Sequence, residues 1–277
     1  MAKRSVISKI TIYVFAICVF VYSFFPLYWI VISPLRGLTG FFENSTVLFP
    51  TAFDLTFFKN IWSETNFPIY FKNSFIVAGS TTLITIITAT LIAYVLTRFK
   101  FRGKKFLLNS MLIGYMLPPM LLAIPLLGMF ISMGIEDTLI GLTISHIAIT
   151  LPFGVWMLNG FMDTVPFELE ESAWVDGASR FQALYRVIFP LLIPGIISIG
   201  VFSFIVSFTD YTFGLMLVSS EANKTIPVGL AAIKESTSLQ NGELLAGAAM
   251  IILPMVILFT FVTKYFIQGL TSGAVKG

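Results

Sequence analysis

Six apolar stretches, at 10–33, 73–97, 106–132, 139–161, 190–218 and 244–263, account for most of the 277-residue chain. A helix needs about 20 mostly apolar residues to cross about 30 Å of hydrocarbon, and in lipid every backbone amide must be satisfied within the chain. Each stretch therefore predicts a membrane-spanning helix. The charges fall almost wholly between the stretches, as they must when a Lys, Arg or Asp at a helix centre costs about 2.5–3.5 kcal/mol on insertion scales. With 57% hydrophobic and only 11% charged residues, the composition excludes an ordinary soluble domain. The predicted fold is all-α, a polytopic membrane protein with six transmembrane helices in a single domain over 1–277.

Orientation follows from the short connections. With the N-terminus (Lys3, Arg4, Lys9) inside, the connections "RFKFRGKK" and 162–189 and the C-terminus share that side, which then holds twelve of the seventeen Lys and Arg. The excess predicts an N-in, C-in topology. The first stretch is longer than the usual 7–15-residue core of a signal peptide, and "PLYWIVISPL" offers no small-residue cleavage site. It is read as a retained span. The one cysteine, Cys18, has no partner for an internal disulfide.

On the outer side, residues 34–72 form a long aromatic-rich loop expected to pack on the helix ends, and 219–243 form a second, polar loop. Asp137, in "SMGIEDTLIG", is expected to cap the fourth span. Pro118, Pro119, Pro125, Pro152, Pro194 and Pro254 lie within spans, where each removes a backbone donor and kinks or breaks its helix.

No G-x-x-x-x-G-K-[ST] phosphate loop is present, so the chain has no ATP-hydrolysing site of that kind. The one histidine, His146, has no acidic or cysteine neighbours at metal-ligand spacing, and a hydrogen-bonded packing role fits it better than a proton relay. Glu136 and Asp137 read as a solvated loop and a cap, not as catalytic acids. No catalytic residues and no metal site are expected. Asp210, in "SFIVSFTDYTFG", is the only carboxylate within a span. Such a group lines a watery path or pairs at a span's outer end, and the sequence leaves both open.

The segment "ELEESAWVDGASRFQ", 168–182, is acidic and half apolar between two spans. On a helical wheel Trp174, Ala178, Phe181, Leu184, Tyr185 and Ile188 share one face, with Ser172, Asp176, Ser179, Ala183 and Arg186 toward the other. Gly177 suits a continuous helix poorly and predicts a bend between two short helices. Residues 163–186 carry five carboxylates against Arg180 and Arg186. That balance is the wrong sign for an anionic lipid surface, so the segment is read as docking on a protein.

The run "EESAWVDGASRFQALYRVIFPLLIPG" resembles the coupling motif of ABC importer permeases, written E-A-A, three residues, G, nine residues, I-x-L-P. Glu171, Ser172 and Ala173 match its start, Gly177 its glycine, and Val187, Phe189 and Pro190 its end. "FKNSFIVAGSTTL", "AYVLTRFKFRGKK", "EDTLIGL", "LPFGVWML" and "GLTSGAVKG" are similar to the maltose-type, carbohydrate-uptake branch. The resemblance implies a permease core over about 72–268, a coupling helix between the fourth and fifth spans within 162–189, and a tail at 269–277. It implies a second homologous permease subunit, two cytoplasmic ATPase subunits holding ATP and Mg, and an extracytoplasmic sugar-binding protein, in the cytoplasmic membrane of a prokaryote. No cofactor would be bound by this chain.

By the same resemblance, Glu171, Ser172, Ala173, Trp174, Asp176, Gly177, Phe181 and Pro190 belong to the ATPase-coupling loop. Phe208, Thr209, Asp210 and Tyr211 lie along the solute path, and Thr271, Ser272, Gly273 and Lys276 form a docking tail. Phe208 and Thr209 stand where relatives often carry Trp-Asn, so sugar contacts do not transfer directly. A non-sugar solute is the nearest alternative. A self-sufficient secondary transporter would call for several intramembrane ionisable groups and internal repeats, and the sequence offers only Asp210 and His146. A non-transporting scaffold would leave the acidic segment without a role.

Overall fold

The computed structural model describes the backbone over residues 6–37, 48–50, 53–236 and 241–274, and all regular structure there is helical. The helices are α1 (Val6–Ile32), α2 (Thr56–Ser63), α3 (Phe67–Arg98), α4 (Lys104–Tyr115), α5 (Pro119–Met133), α6 (Leu139–Met162), α7 (Glu168–Val175), α8 (Arg180–Leu191), α9 (Ile193–Phe208), α10 (Thr212–Leu217), α11 (Ile226–Ser236) and α12 (Asn241–Ala274).

Four helices among the described residues are long and apolar enough to cross a membrane, or six if the bent pairs α4 with α5 and α8 with α9 each make one span. The third and fifth apolar stretches are thus broken where single helices were expected. Pro119 is the first residue of α5 and drives Pro118 into an extended conformation, ψ 130°, so α4 and α5 meet at 99°. A bend of 77° at Leu192 separates α8 from α9, beside Pro190 and Pro194. The fifth stretch breaks again at residues 209–211, before α10. By contrast Pro125, Pro152 and Pro254 sit inside helices that continue through them.

The described residues fall into two compact units. The first comprises Met1–Phe67 and Leu230–Pro254. In it α1 is apolar on every side, with none of its spanning window buried, the pattern of a helix solvated by lipid. Part of the outer-loop expectation falls on residues 38–47 and 51–52, which lie outside the described residues. The described part forms α2, whose buried Phe57 and Ile61 lie against Gly242 and Gly247 of α12. Asn60 Nδ2 donates to Glu243 Oε1 at 3.3 Å. Asp54 accepts from both the hydroxyl and the amide of Thr56, which hold its carboxyl below the usual range.

The second unit comprises Pro68–Gly229 and Met255–Gly277. Its centre is α6, half of whose spanning window is buried. Small residues permit close approach. A Cβ on Gly154 would touch Ala89 and Thr85 of α3 at 3.4 Å, and one on Gly195 of α9 would collide with Phe161 at 2.8 Å. The Thr85 and Thr150 hydroxyls pair at 2.9 Å in the same seam, so the polar groups buried there are mutually satisfied. Ala93, Val155, Leu158, Ile188, Leu192 and Ile199 complete this core.

Asp137 does not cap α6. Thr138 does, its hydroxyl accepting from Gly141 N at 3.0 Å, because Asp137 is turned away in a left-handed conformation at φ 53°. Its carboxylate instead accepts from the amides of Ser219 and Ser220 and the Ser220 hydroxyl, each at 3.0 Å. Burial raises its pKa and these donors lower it, and the donors prevail, leaving the carboxyl below its ordinary range. Asp137 thereby ties the loop before α6 to the loop after α10.

Candidate functional site

Residues 168–190 fold as a helix, a turn and a second helix. Glu168, Glu170 and Glu171 occupy the first turn of α7, where carboxylates complement the positive end of the helix dipole. The helix closes with paired bonds from Ala178 N to Ala173 O at 2.9 Å and from Gly177 N to Trp174 O at 3.0 Å. This closure needs a left-handed residue, and Gly177 supplies it at φ +86°. Among the described residues a Cβ at Gly177 would meet no atom within 4 Å beyond its two chain neighbours, so the space before it is open. Ser179 then starts α8 with a reciprocal cap, its hydroxyl accepting from Gln182 N and its amide donating to Gln182 Oε1.

The bend at Gly177 agrees with the sequence reading, but the single apolar stripe does not. Leu184 and Ile188 turn inward with Ala183, whereas Phe181 and Tyr185 are 70% and 66% exposed. Two local events change the phase. The break puts Trp174 and Phe181 on different helices, and residues Leu184–Ile188 form a π-turn in which Phe189 N reaches back to Leu184 O. Pro190 follows directly and has no amide to continue an α-helical ladder. The outcome is an exposed tip of Val175, Phe181 and Tyr185, with Val175 88% exposed. Glu171, Ser172, Asp176 and Gly177 are exposed beside it, while Ala173 and Trp174 are half-buried. Neither Glu171 nor Asp176 has a side-chain partner among the described residues.

Behind the tip lies a buried brace that the sequence did not disclose. Glu170 is fully buried and forms an ion pair with Arg98, the last residue of α3. Tyr94 donates its hydroxyl to the other carboxylate oxygen at 3.0 Å, and an Arg98 guanidinium nitrogen donates to Val165 O at 2.9 Å. Cations and rings extend the contact. Arg98 stands 5.7 Å over Phe167, Phe167 meets Trp174 edge-on at 5.6 Å, and Arg180 lies 5.2 Å over Trp174 and 5.1 Å over Phe99. Glu170 is therefore spent inside the chain. Opposite charges at a span's end and in the acidic helix were a possible signal, but spacing alone does not say which of the acids is inside.

The two ionisable groups within the apolar stretches, read separately in the sequence, come together. His146 of α6 has its Nε2 3.3 Å from Asp210 Oδ2, within ion-pairing distance though not in hydrogen-bonding alignment. Its Nδ1 lies 2.7 Å from the Ser207 hydroxyl, and the Phe213 ring stands edge-on 6.1 Å away. Asp210 also accepts from Gly214 N at 3.1 Å, anchoring α10 across the break. Phe208 is buried against Phe75 and Phe204, while Thr209 and Tyr211 are exposed. The side chains of Thr271, Ser272 and Gly273, and all of Lys276, lie outside the described residues.

Residues 81–272 match the family model described as "Binding-protein-dependent transport system inner membrane component". The chain is 32% identical over 277 residues to the inner membrane ABC transporter permease protein YcjP of Escherichia coli (strain K12), covering 99% of each. It is 30% identical over 275 residues to the diacetylchitobiose uptake system permease protein DasC of Streptomyces coelicolor, covering 99% of this chain and 100% of that one. It is 29% identical over 278 residues to the trehalose/maltose transport system permease protein MalG of Thermococcus litoralis, covering 99% of each. A chain from the crystal structure of a bacterial ABC transporter involved in the import of the acidic polysaccharide alginate shares the fold, with a TM-score of 0.77 at 19% identity, covering 96% of this chain and 100% of that one.

Proposed function

The chain belongs to the family of binding-protein-dependent transport system inner membrane components, and from that premise we propose that it is one permease subunit of an ATP-driven importer for a mono-, di- or oligosaccharide. The carrying observation is the tip at 168–190, which presents apolar side chains and exposed carboxylates outward while its base is braced to α3. Such a surface, fixed to a membrane helix and unsuited to anionic lipid, suits a protein socket that moves. Glu171 and Asp176 supply charge-assisted hydrogen bonds there and Phe181 an apolar anchor, with Ser172, Ala173, Trp174 and Gly177 setting the turn and Pro190 ending it.

The sugar reading is supported by relatives whose names specify diacetylchitobiose, trehalose/maltose and maltodextrin. The chain spans the membrane six times with both termini inside, pairs with a homologous permease, and receives solute from an extracytoplasmic binding protein. One solved structure similar to this chain is a bacterial alginate ABC transporter in complex with an alginate pentasaccharide-bound periplasmic protein. ATP and Mg reside on two partner ATPase subunits, and this chain performs no chemistry of its own. The break at Thr209, Asp210 and Tyr211 lies on the solute path with Phe208 packed behind it, and the His146–Asp210 pair holds the break in place. The tail from Thr271 to Lys276 makes a second ATPase contact.

Uptake of labelled maltodextrin and diacetylchitobiose into liposomes tests the reading. The chain with its partner permease, binding protein and ATPase subunits is expected to accumulate one of them only with ATP inside the ATPase compartment. Accumulation by the chain alone, without any ATPase, would overturn it.

A further inference from the structure

The α3–α4 corner holds two adjoining cavities, one bordered by lysines and one wholly apolar. One, of about 700 Å³, is lined by Lys100, Lys104 and Lys105 with Phe99, Phe101 and Phe106. The other, of about 290 Å³, has an apolar lining that includes Leu91, Val95, Leu107 and Met111. Phe101 lines both, so the two meet at its ring. The corner is held open by Gly103, whose φ of +93° reverses the chain before α4.

The positive charge here is largely uncommitted. Arg98, which also borders the basic cavity, is neutralised by Glu170. Lys104 donates one long bond of 3.5 Å to Thr97 O, and neither Lys100 nor Lys105 has an ion-pair partner among the described residues. No residue of α4 is buried, and Phe106 and Leu107 are exposed. Three lysines at the end of two membrane helices, with an apolar groove leading from them along those helices, match a molecule with an anionic head and a hydrocarbon tail. A free phosphate would use only the first cavity.

We propose that this corner binds one anionic glycerophospholipid, its phosphate against Lys100, Lys104 and Lys105 and an acyl chain in the groove beside Leu107. The inference rests on the topology above, which puts the corner in the cytoplasmic leaflet. A lipid seated there touches both α3, which carries the Arg98 brace, and the turn that precedes α4. It thus adjoins the coupling loop without belonging to it.

Native mass spectrometry of the assembled complex, titrated with phosphatidylglycerol or phosphatidylcholine, tests the proposal. The wild type is expected to retain phosphatidylglycerol preferentially, and Lys104→Ala/Lys105→Ala to lower that retention by about tenfold or more. Filling the groove with Leu107→Trp is expected to lower it as well, and millimolar inorganic phosphate to leave it unchanged. Equal retention of both lipids, displacement by inorganic phosphate, or retention unaffected by either variant would overturn the proposal. So would cross-linking of Phe101→Cys to the partner permease with no lipid retained. Labelling of Arg102→Cys from one side of sealed vesicles separates the two levels: labelling from outside refutes the topology, whereas labelling from inside without lipid selectivity refutes the lipid site alone.

Discussion

Gly177→Val in the assembled complex is expected to lower ATP-driven uptake by roughly 5- to 150-fold, the equivalent of the 1–3 kcal/mol that overpacking costs in a close-packed contact. Membrane insertion should be unaffected. The turn needs a positive φ, so any side chain costs about 1–2 kcal/mol of local strain. Yet among the described residues no atom beyond the two chain neighbours lies within 4 Å of where a Cβ would sit. A larger side chain therefore meets only whatever occupies the open space in front of the tip. Gly177→Ala is the control for the strain that any side chain meets at this φ, to which the β-branched valine adds its own, and it should fall between wild type and Gly177→Val. Equal uptake by Gly177→Val and wild type would show that nothing docks there.

The second large effect concerns the brace. Glu170→Ala leaves the Arg98 guanidinium, whose side chain is 8% exposed, without its counter-charge and removes the acceptor of the Tyr94 hydroxyl. Breaking one side of a buried ion pair typically costs about 3–5 kcal/mol. Thermal unfolding of the detergent-solubilised chain should show a large loss for Glu170→Ala and a comparable one for Arg98→Ala. The pair Arg98→Met with Glu170→Leu should recover much of it, since an apolar replacement leaves no orphan charge. Additive losses in the double variant would mean that the two residues are not energetically coupled. Glu171→Ala, whose carboxylate is exposed and unpaired among the described residues, should leave stability unchanged and act only on uptake.

These expectations divide along a line that the sequence partly revealed. The apolar stretches were legible because lipid imposes length and hydrophobicity on each spanning helix. Gly177 was legible because a helix interior penalises glycine. The stripe on the coupling segment was misread, since a helical wheel assumes unbroken α-geometry and residues 176–179 and 184–188 depart from it. The breaks at Pro118–Pro119 and Leu192 were visible as prolines, but Pro125, Pro152 and Pro254 look the same in the sequence and continue their helices. Surrounding packing decides which proline breaks a helix.

Long-range pairs were the least legible. Glu170 stands between acids of like composition and meets Arg98 from 72 residues away, and His146 meets Ser207 from 61. Asp137 has the residue type and position of a cap, yet its left-handed backbone hands that role to Thr138. Each of these depends on where helices distant in sequence end up. Residue type supplied the candidates and tertiary structure chose among them.

If the tip at 168–190 docks on an ATPase subunit, its side chains are shielded from solvent in the complex, and cysteine protection reads that shielding. Val175 is 88% exposed in the chain alone, so Val175→Cys, with Cys18→Ser to remove the one native thiol, should react rapidly with a water-soluble maleimide. Adding the ATPase subunits should slow that reaction by at least about tenfold, as expected when an exposed side chain becomes buried in an interface core. An unchanged rate in a complex shown to be assembled and active in ATP-driven uptake would contradict the account.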